Sequence, residues 1–586
     1  MTGVGAVEAP AVVVRTVEAA EPEAVDFRRS FLRWGIGSYL VITAGIVLGG
    51  IIRAHGHLVY VIDDPAIHLS VAKNLVDHGT WGVVPGHFQS ASSSPLWTIL
   101  LGAWLKIMPG PDALAPLALN VAAGIGAIAV VAGNQRVLLP RWRRPLDALA
   151  VVVLVNVILF LPGLAMTGME HSLHIALVLG AVVLFHRRLT GQAQVGPSWL
   201  PYLLLVLATL TRFETAFVAA GIALALLVAP PARRGLDVAP GRDGWVTRAR
   251  EPVLVGLASV VPLIAFGAFN EVMGQGWLPN SVMAKAATTS GVGGSLLEGA
   301  LSRFGTDALV AALAGVALVG LILAGRRWLP WSFPAIVVVV TIGLHMLFAR
   351  VGWYERYQAY LIALGVYAVL CLLAERLPAV ELPPARSFVV AALVGVMLLF
   401  TGSKPGAVFK SPVAVGETYD QRYQAARFFA EYYDGQPIAT GELGYISLFH
   451  HGPITDVFGL GDYEVLQEWQ RADGLPKAPY WDRLADERGF QVVAVYPLTL
   501  FRSLPDDWIA VGTWDLDRWI TTAPSSQFQW YATSPEAVEP LRQHLIDFED
   551  QLPAGVKTNL NPLAENRADA LRAEAAAADA TDAAGG

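Results

Sequence analysis

Two adjacent carboxylates, Asp63 and Asp64, follow directly on the first apolar run, within the stretch 61–97 that reads VIDDPAIHLSVAKNLVDHGTWGVVPGHFQSASSSPLW. A carboxylate at a membrane boundary, with no lysine or arginine beside it, suits general-base work, because partial burial lifts its pKa toward neutrality. Asp63 fits that description. Asp64 precedes Pro65, and Ile67, Val71 and Leu75 follow four apart. It therefore reads equally well as the N-cap of a short helix lying on a membrane surface, with Gly79 ending it. Which aspartate is the base stays open at this point. An oxygen-ligated divalent ion at the pair is a further, weaker reading. No cysteine–histidine metal spacing occurs. In the same stretch, His68 and His87 are candidates for touching a phosphate or a sugar, whereas Lys73 and His78 read as a solvated helix face.

Other joints between apolar runs carry isolated charges. Glu170 ends TGME and suits a helix N-terminus as well as a substrate contact. Arg212 and Glu214, in TRFE, form an ion pair with each other or leave Arg212 for a phosphate. Lys285 follows WLPNSVMA and could hold a phosphate as a point charge. Arg350 reads as a side chain snorkelling to the interface. Arg356 and Tyr357, in ERY, are the better pair for an anionic substrate.

These joints are set by a chain of 586 residues, 54% hydrophobic and only 15% charged, where soluble domains carry about a quarter charged residues. The deficit lies in 30–402, a series of apolar runs, while 403–586 has soluble composition. This pattern predicts a polytopic α-helical membrane protein with a C-terminal α/β domain. Residues 1–27 are expected as a disordered cytoplasmic tail, 28–402 as the membrane domain with a first external loop at 53–94, 403–562 as the soluble unit, and 563–586 as a disordered tail. Basic joints at 136–144, 187–188, 233–250, 326–327 and 376–386 belong on the cytoplasmic side. About 11 crossings result, with 95–108 as a partial or re-entrant helix and 199–229 as a bent hairpin. Every motif-bearing joint and the soluble domain then fall on the external face. Charges converging at membrane depth mark a site. The single cysteine, Cys371, excludes an intrachain disulfide. In the soluble part, residues near 436–440 and 491–496 read as strands and those near 425–433 and 536–549 as helices. The tryptophans Trp469, Trp481, Trp508, Trp514, Trp519 and Trp530 either stack on sugars or fill a core.

The Asp-Asp pair after the first span, the helix ending in NLVDHGTWG and the following SSSPLWTILL resemble the first external loop of GT-C fold glycosyltransferases. TGMEHSL, TRFE, LPNSVMAKA and ERYQAYLIAL follow in the order seen in the branch that includes the actinobacterial terminal arabinofuranosyltransferase, and GELGYISLFHHGPITDVFGLGDYEV is similar to the segment opening that branch's soluble domain. The resemblance covers about 53–465. It implies a polyprenyl-phosphate sugar donor, with arabinofuranose as first choice and mannose or another hexose as alternatives. It also implies a cell-envelope glycan acceptor at the outer face of the plasma membrane. Asp63 would be the base with Asp64 alongside, and Arg212, Lys285 and Arg356 the phosphate ligands. No cofactor and no nucleic acid are implied, and no P-loop occurs. A flippase for lipid-linked glycans would call for internal repeats and charges in broken helices, and none are seen. A non-catalytic scaffold would need neither Asp63 nor the basic joints.

Overall fold

The computed structural model describes residues 22–108, 110–134, 145–235, 242–284, 296–376, 383–472, 474–497, 503–518, 522 and 524–585. The basic joint at 136–144, Lys285 and Trp519 lie outside them. Helix Pro22–Arg53 begins inside the segment expected as a tail. Among the described residues, five helical stretches are long and apolar enough to cross a membrane: Phe31–Arg53, Leu114–Ala132, Leu146–Thr167, His171–Leu189 and Gly244–Val272. Two bent pairs bring the number to seven at most. Leu297–Thr306 meets Ala308–Ala324 at 108°, and Ser387–Leu399 meets Lys404–Tyr432 at 60°. The other expected crossings fall on apolar helices of 10–17 residues, such as Leu200–Thr211 and Thr215–Val228. At 1.5 Å per residue most of these are too short to span straight. Helix Pro95–Ile107 is one of them, in keeping with a partial helix there.

Helix Asp64–His78 has Pro65 in its first turn and ends at Gly79, φ 66°. The Gly79 amide donates to the Leu75 carbonyl and the Thr80 amide to the Asn74 carbonyl, closing the helix as the sequence predicts. The expectation that it lies on a membrane surface is corrected. Pro65 through Ala72 are buried, packed between helices Pro95–Ile107 and Gly444–Phe449.

The segment 403–425, which opens the part of soluble composition, is helical. Lys404–Thr418 runs through a π-turn, Tyr419–Tyr423, into Gln424–Tyr432. It lies along the first helix, where glycine makes the approach possible: a Cβ on Gly49 would meet Pro412 at 3.2 Å, and one on Gly50 would meet Val415 at 3.2 Å. The soluble domain is thereby carried on a rigid support.

That domain holds one six-stranded sheet of β1 (Ile438–Thr440), β2 (Ile454–Asp456), β3 (Val492–Val495), β4 (Ile509–Leu516), β5 (Gln527–Ala532) and β6 (Val556–Leu560), in the order β2-β1-β3-β5-β4-β6. β1 pairs parallel with β2 and β3, and the rest are antiparallel. Trp481, Trp514 and Trp530 are fully buried and Trp508 nearly so, so these four fill the core. The tail expected as disordered forms helix Ala564–Gly585. Ala564 and Ala568 are buried, and Arg542 pairs with Glu565 at 2.7 Å. A composition dominated by alanine favours helix wherever packing anchors it.

Trp530→Ala should destabilise the soluble domain by about 3–5 kcal/mol, read as a lowered urea midpoint for the full chain in detergent. A midpoint within error of the parent would contradict the core assignment.

Candidate active site

The start of helix Asp64–His78, the turn 352–357 and the β1 end of the soluble sheet enclose a cavity of about 360 Å³. Asp63, Asp64, Arg356, Arg422 and Glu442 line it, with Trp353, Phe458 and Trp469. A second cavity of about 290 Å³ is lined by Arg212, Glu214, Arg303 and Phe348. Arg350 and Tyr357 line both.

Asp63 is nine-tenths buried, and its carboxylate is held from the soluble domain. The amides of Gly444 and Tyr445 donate to its two oxygens at 2.5 and 3.0 Å. Around this contact the Tyr60 amide donates to the Tyr445 hydroxyl (3.1 Å), Ser70 Oγ to the Ser447 carbonyl (2.9 Å) and Thr418 Oγ1 to the Val61 carbonyl (3.2 Å). Gly444 cannot carry a side chain here, since a Cβ would fall 2.3 Å from the Asp63 carbonyl oxygen and 2.5 Å from its carboxyl carbon. Burial raises the Asp63 pKa, against the lowering pull of Arg422 and the two amides.

The N-cap reading of Asp64 is corrected. The helix starts at Asp64, and no side chain caps it. The Asp64 carboxylate instead pairs with Arg356. Arg356 is 2% exposed. Its Nη2 also donates to the Tyr357 hydroxyl at 3.0 Å, but its Nε and Nη1 have no hydrogen-bond partner among the described residues. A buried donor left unmet costs about 1–3 kcal/mol, and Arg356 keeps two of them beside a cavity that it lines. Burial works against the Arg356 charge, but Asp64 and Tyr357 outweigh it and keep the group cationic.

The turn that presents Arg356 is strained. Trp353, Tyr354 and Glu355 have φ of 48°, 61° and 59°, after Gly352 at 87°. Left-handed backbone costs a non-glycine residue about 1–2 kcal/mol. Tyr354 Oη donates to the Ala407 carbonyl at 3.1 Å. Glu355 pairs with Lys404 at 3.0 Å, and the same buried ammonium reaches Asp307 at 3.1 Å.

In the second cavity Arg212 bonds Glu170 at 2.6 Å and also pairs with Glu214, while its Nε has no partner among the described residues. The guanidinium carbons of Arg212 and Arg356 lie 5.6 and 4.9 Å from the centroid of the Tyr357 ring. Tyr357 thus joins the two cation sites.

Of the residues singled out in the sequence, Asp63, Asp64, Arg356 and Tyr357 meet at the first cavity, and Arg212, Glu214 and Tyr357 at the second. Glu170 stands behind Arg212. His68 is not in either wall: it is buried against Ser92 (3.1 Å) and Thr98 (3.5 Å), bracing the loop. His87 sits exposed beyond the turn at Gly86 and lines neither cavity. Lys285 lies outside the described residues, although Ala284 lines the first cavity. Among the described residues no group of three His, Cys, Asp or Glu side chains is arranged to hold a metal ion.

Sequence reasoning missed Arg422, Glu442, Arg303 and Lys404. Glu442 stands in the quoted GELGYIS segment, the one signal available. Arg422 Nε donates to Glu442 Oε2 at 2.8 Å. Burial, with Asp63 and Asp64 nearby, pushes Glu442 up to about 7 despite Arg422.

Two outcomes are expected. Gly444→Ala should push the soluble domain off the first loop, giving faster tryptic cleavage between the domains. Unchanged cleavage would contradict the clamp. Glu442 binds its proton more tightly folded than unfolded, so its stabilising effect is complete below about pH 4.5 and is lost as pH rises through about 7. The thermal midpoint of the parent should therefore fall from pH 5 to pH 8, and that of Glu442→Gln should fall less.

Residues 413–533 match a family described as a domain of unknown function (DUF8728). No similar sequence is found among proteins of curated function. Among solved structures the chain is similar to ArnT from Cupriavidus metallidurans bound to undecaprenyl phosphate, at 13% identity and a TM-score of 0.45, covering 86% of this chain and 99% of that one. It is also similar to the Archaeoglobus fulgidus oligosaccharyltransferase in the apo form, at 13% identity and a TM-score of 0.46, covering 86% and 74%. A third similar structure is the Archaeoglobus fulgidus AglB in complex with an inhibitory peptide and a dolichol-phosphate, at 12% identity and a TM-score of 0.44, covering 90% and 75%.

Proposed function

We propose that this chain is a membrane glycosyltransferase that moves a sugar from a polyprenyl-phosphate donor to an acceptor hydroxyl. The observation that carries the reading is Arg356: a buried guanidinium with two unmet donors, set in a cavity wall beside two carboxylates. A cationic group with unmet donors suits a leaving phosphate. Arg212 extends the phosphate site through Tyr357. Asp64 orients Arg356, and its side chain is 30% exposed where it lines the cavity. Asp63, expected as the base, has both oxygens engaged by backbone amides, so Asp64 is the better-placed acceptor of the proton. In the transfer, the bond between the sugar anomeric carbon and the phosphate oxygen breaks, and its electron pair leaves with the phosphate. The acceptor oxygen bonds that carbon and its proton passes to Asp64.

A groove of about 1150 Å³ supports a polyprenyl tail. Tyr202, Leu210, Leu254, Val261, Phe266 and Phe269 line it, among others. Its Phe266 ring packs on Phe213 at 5.9 Å, next to Arg212, so a long apolar chain in the groove would deliver its head group to the second cavity. The sugar we favour is arabinofuranose, on the ordered motifs of the sequence, and the basic joints favour an active site at the outer face of the plasma membrane.

A panel of decaprenyl-phosphoryl sugars, offered to the purified chain with glycan acceptors, tests the reading. Arg356→Ala should lower kcat/KM for the consumed donor by about 10²–10³-fold. Asp64→Asn should lower kcat by about 10²–10⁴-fold with donor binding retained. If no donor is turned over and Arg356→Ala binds decaprenyl phosphate like the parent, the proposal fails.

A further inference from the structure

We propose that the soluble-domain wall of the first cavity is a binding subsite for a sugar ring of the acceptor, with Trp469 and Phe458 as its stacking shelf and Glu442 as its hydroxyl-binding carboxylate. The inference deepens the glycosyltransferase reading and rests on it.

Trp469 and Phe458 pack on the edge of the core that holds Trp481 and Trp508. Trp469 is only half-buried and it lines the cavity. Its Nε1 donates to the Val457 carbonyl at 2.9 Å, which fixes the ring. The ring stacks with Phe458 at 6.2 Å and 27°. Across the cavity stands Trp353, half-exposed on the strained turn. A flat apolar shelf with one adjacent carboxylate matches a sugar ring, which offers an apolar C–H face and a rim of hydroxyl donors. About 360 Å³ falls within the size of small-molecule sites, roughly 300–1,000 Å³.

The charges sort the two substrates. On the soluble-domain wall the one described cation, Arg422, is already held by Glu442, so a phosphate finds no open donor there. Arg350 and Arg356 line the opposite wall. A neutral polyol therefore belongs against the soluble domain and the anionic donor against the membrane domain. A peptide fits this wall less well. β1 is paired on both sides, by β2 and β3, so it presents no open strand edge for an extended chain to join.

The test uses the full chain in nanodiscs. The probes are an arabinofuranosyl hexasaccharide, a mannopyranosyl hexasaccharide, an unstructured peptide of similar mass and decaprenyl phosphate. Binding is read by saturation-transfer NMR and fluorescence titration without donor. One of the oligosaccharides should bind. Trp469→Ala and Glu442→Gln should each weaken it at least tenfold, while Trp469→Phe, which keeps a ring and the core packing, should keep most of the affinity. All three should bind decaprenyl phosphate like the parent, and Arg356→Ala should lose that binding alone. Parent-like oligosaccharide affinity in Trp469→Ala and Glu442→Gln would overturn the subsite, as would binding of the peptide but neither oligosaccharide. If neither oligosaccharide binds while decaprenyl phosphate does, the subsite is wrong and the glycosyltransferase reading stands. Failure of decaprenyl phosphate to bind as well would remove both.

Discussion

The cavity exists because one buried carboxylate is shared between two domains. Asp63 directly precedes the helix of the first loop, and the amides that neutralise it belong to residues 381 and 382 positions further along the chain. A buried carboxylate without donors is costly, so the loop and the soluble domain stabilise each other only when docked. Docking brings Glu442 and Arg422 over Asp64 and Arg356. Gly444 is the steric condition for the contact. Its missing side chain is the space in which Asp63 lies.

The charges then divide. The first cavity sets Asp63, Asp64 and Glu442 against Arg350, Arg356 and Arg422, so three carboxylates face three guanidinium groups. Burial, with Asp63 and Asp64 nearby, pushes Glu442 up to about 7. The second cavity sets Arg212, Arg303 and Arg350 against Glu214, a surplus of positive charge. In the proposed transfer, an anionic head group and a neutral hydroxyl would be drawn to adjoining positions, with Tyr357 between them.

Holding Arg356 at that junction has a conformational cost. Three consecutive non-glycine residues in left-handed conformation persist only where neighbours over-determine them. Lys404 does this from the base of the soluble domain's supporting helix, joining Glu355 of the turn to Asp307 of the bundle. The helix that carries the soluble domain therefore also fixes the turn that carries the anion site, and the two walls of the cavity are not positioned independently.

Much of this was legible in the chain itself. Apolar runs marked the helices, Pro65 and Gly79 marked the ends of the first-loop helix, and short β-branched runs marked β1 and β3, because spans, caps and strands obey short-range rules of length, sterics and periodicity. Isolated charges in the joints pointed to Asp63, Asp64, Arg212 and Arg356. What each charge touches was not legible. Asp64 looked like a helix cap but meets an arginine 292 positions away. Asp63 stood out as a carboxylate with no basic neighbour in sequence, but two amides of the soluble domain hold it. His68 looked available but is buried behind the loop, and Glu442 and Arg422 passed unnoticed in a soluble segment. The tail after 563 read as disordered from its composition, but it forms a helix on which Ala564 and Ala568 are buried. Partners of buried charges follow from which distant segments exclude water from one another, and that is a property of the packed chain rather than of any local stretch.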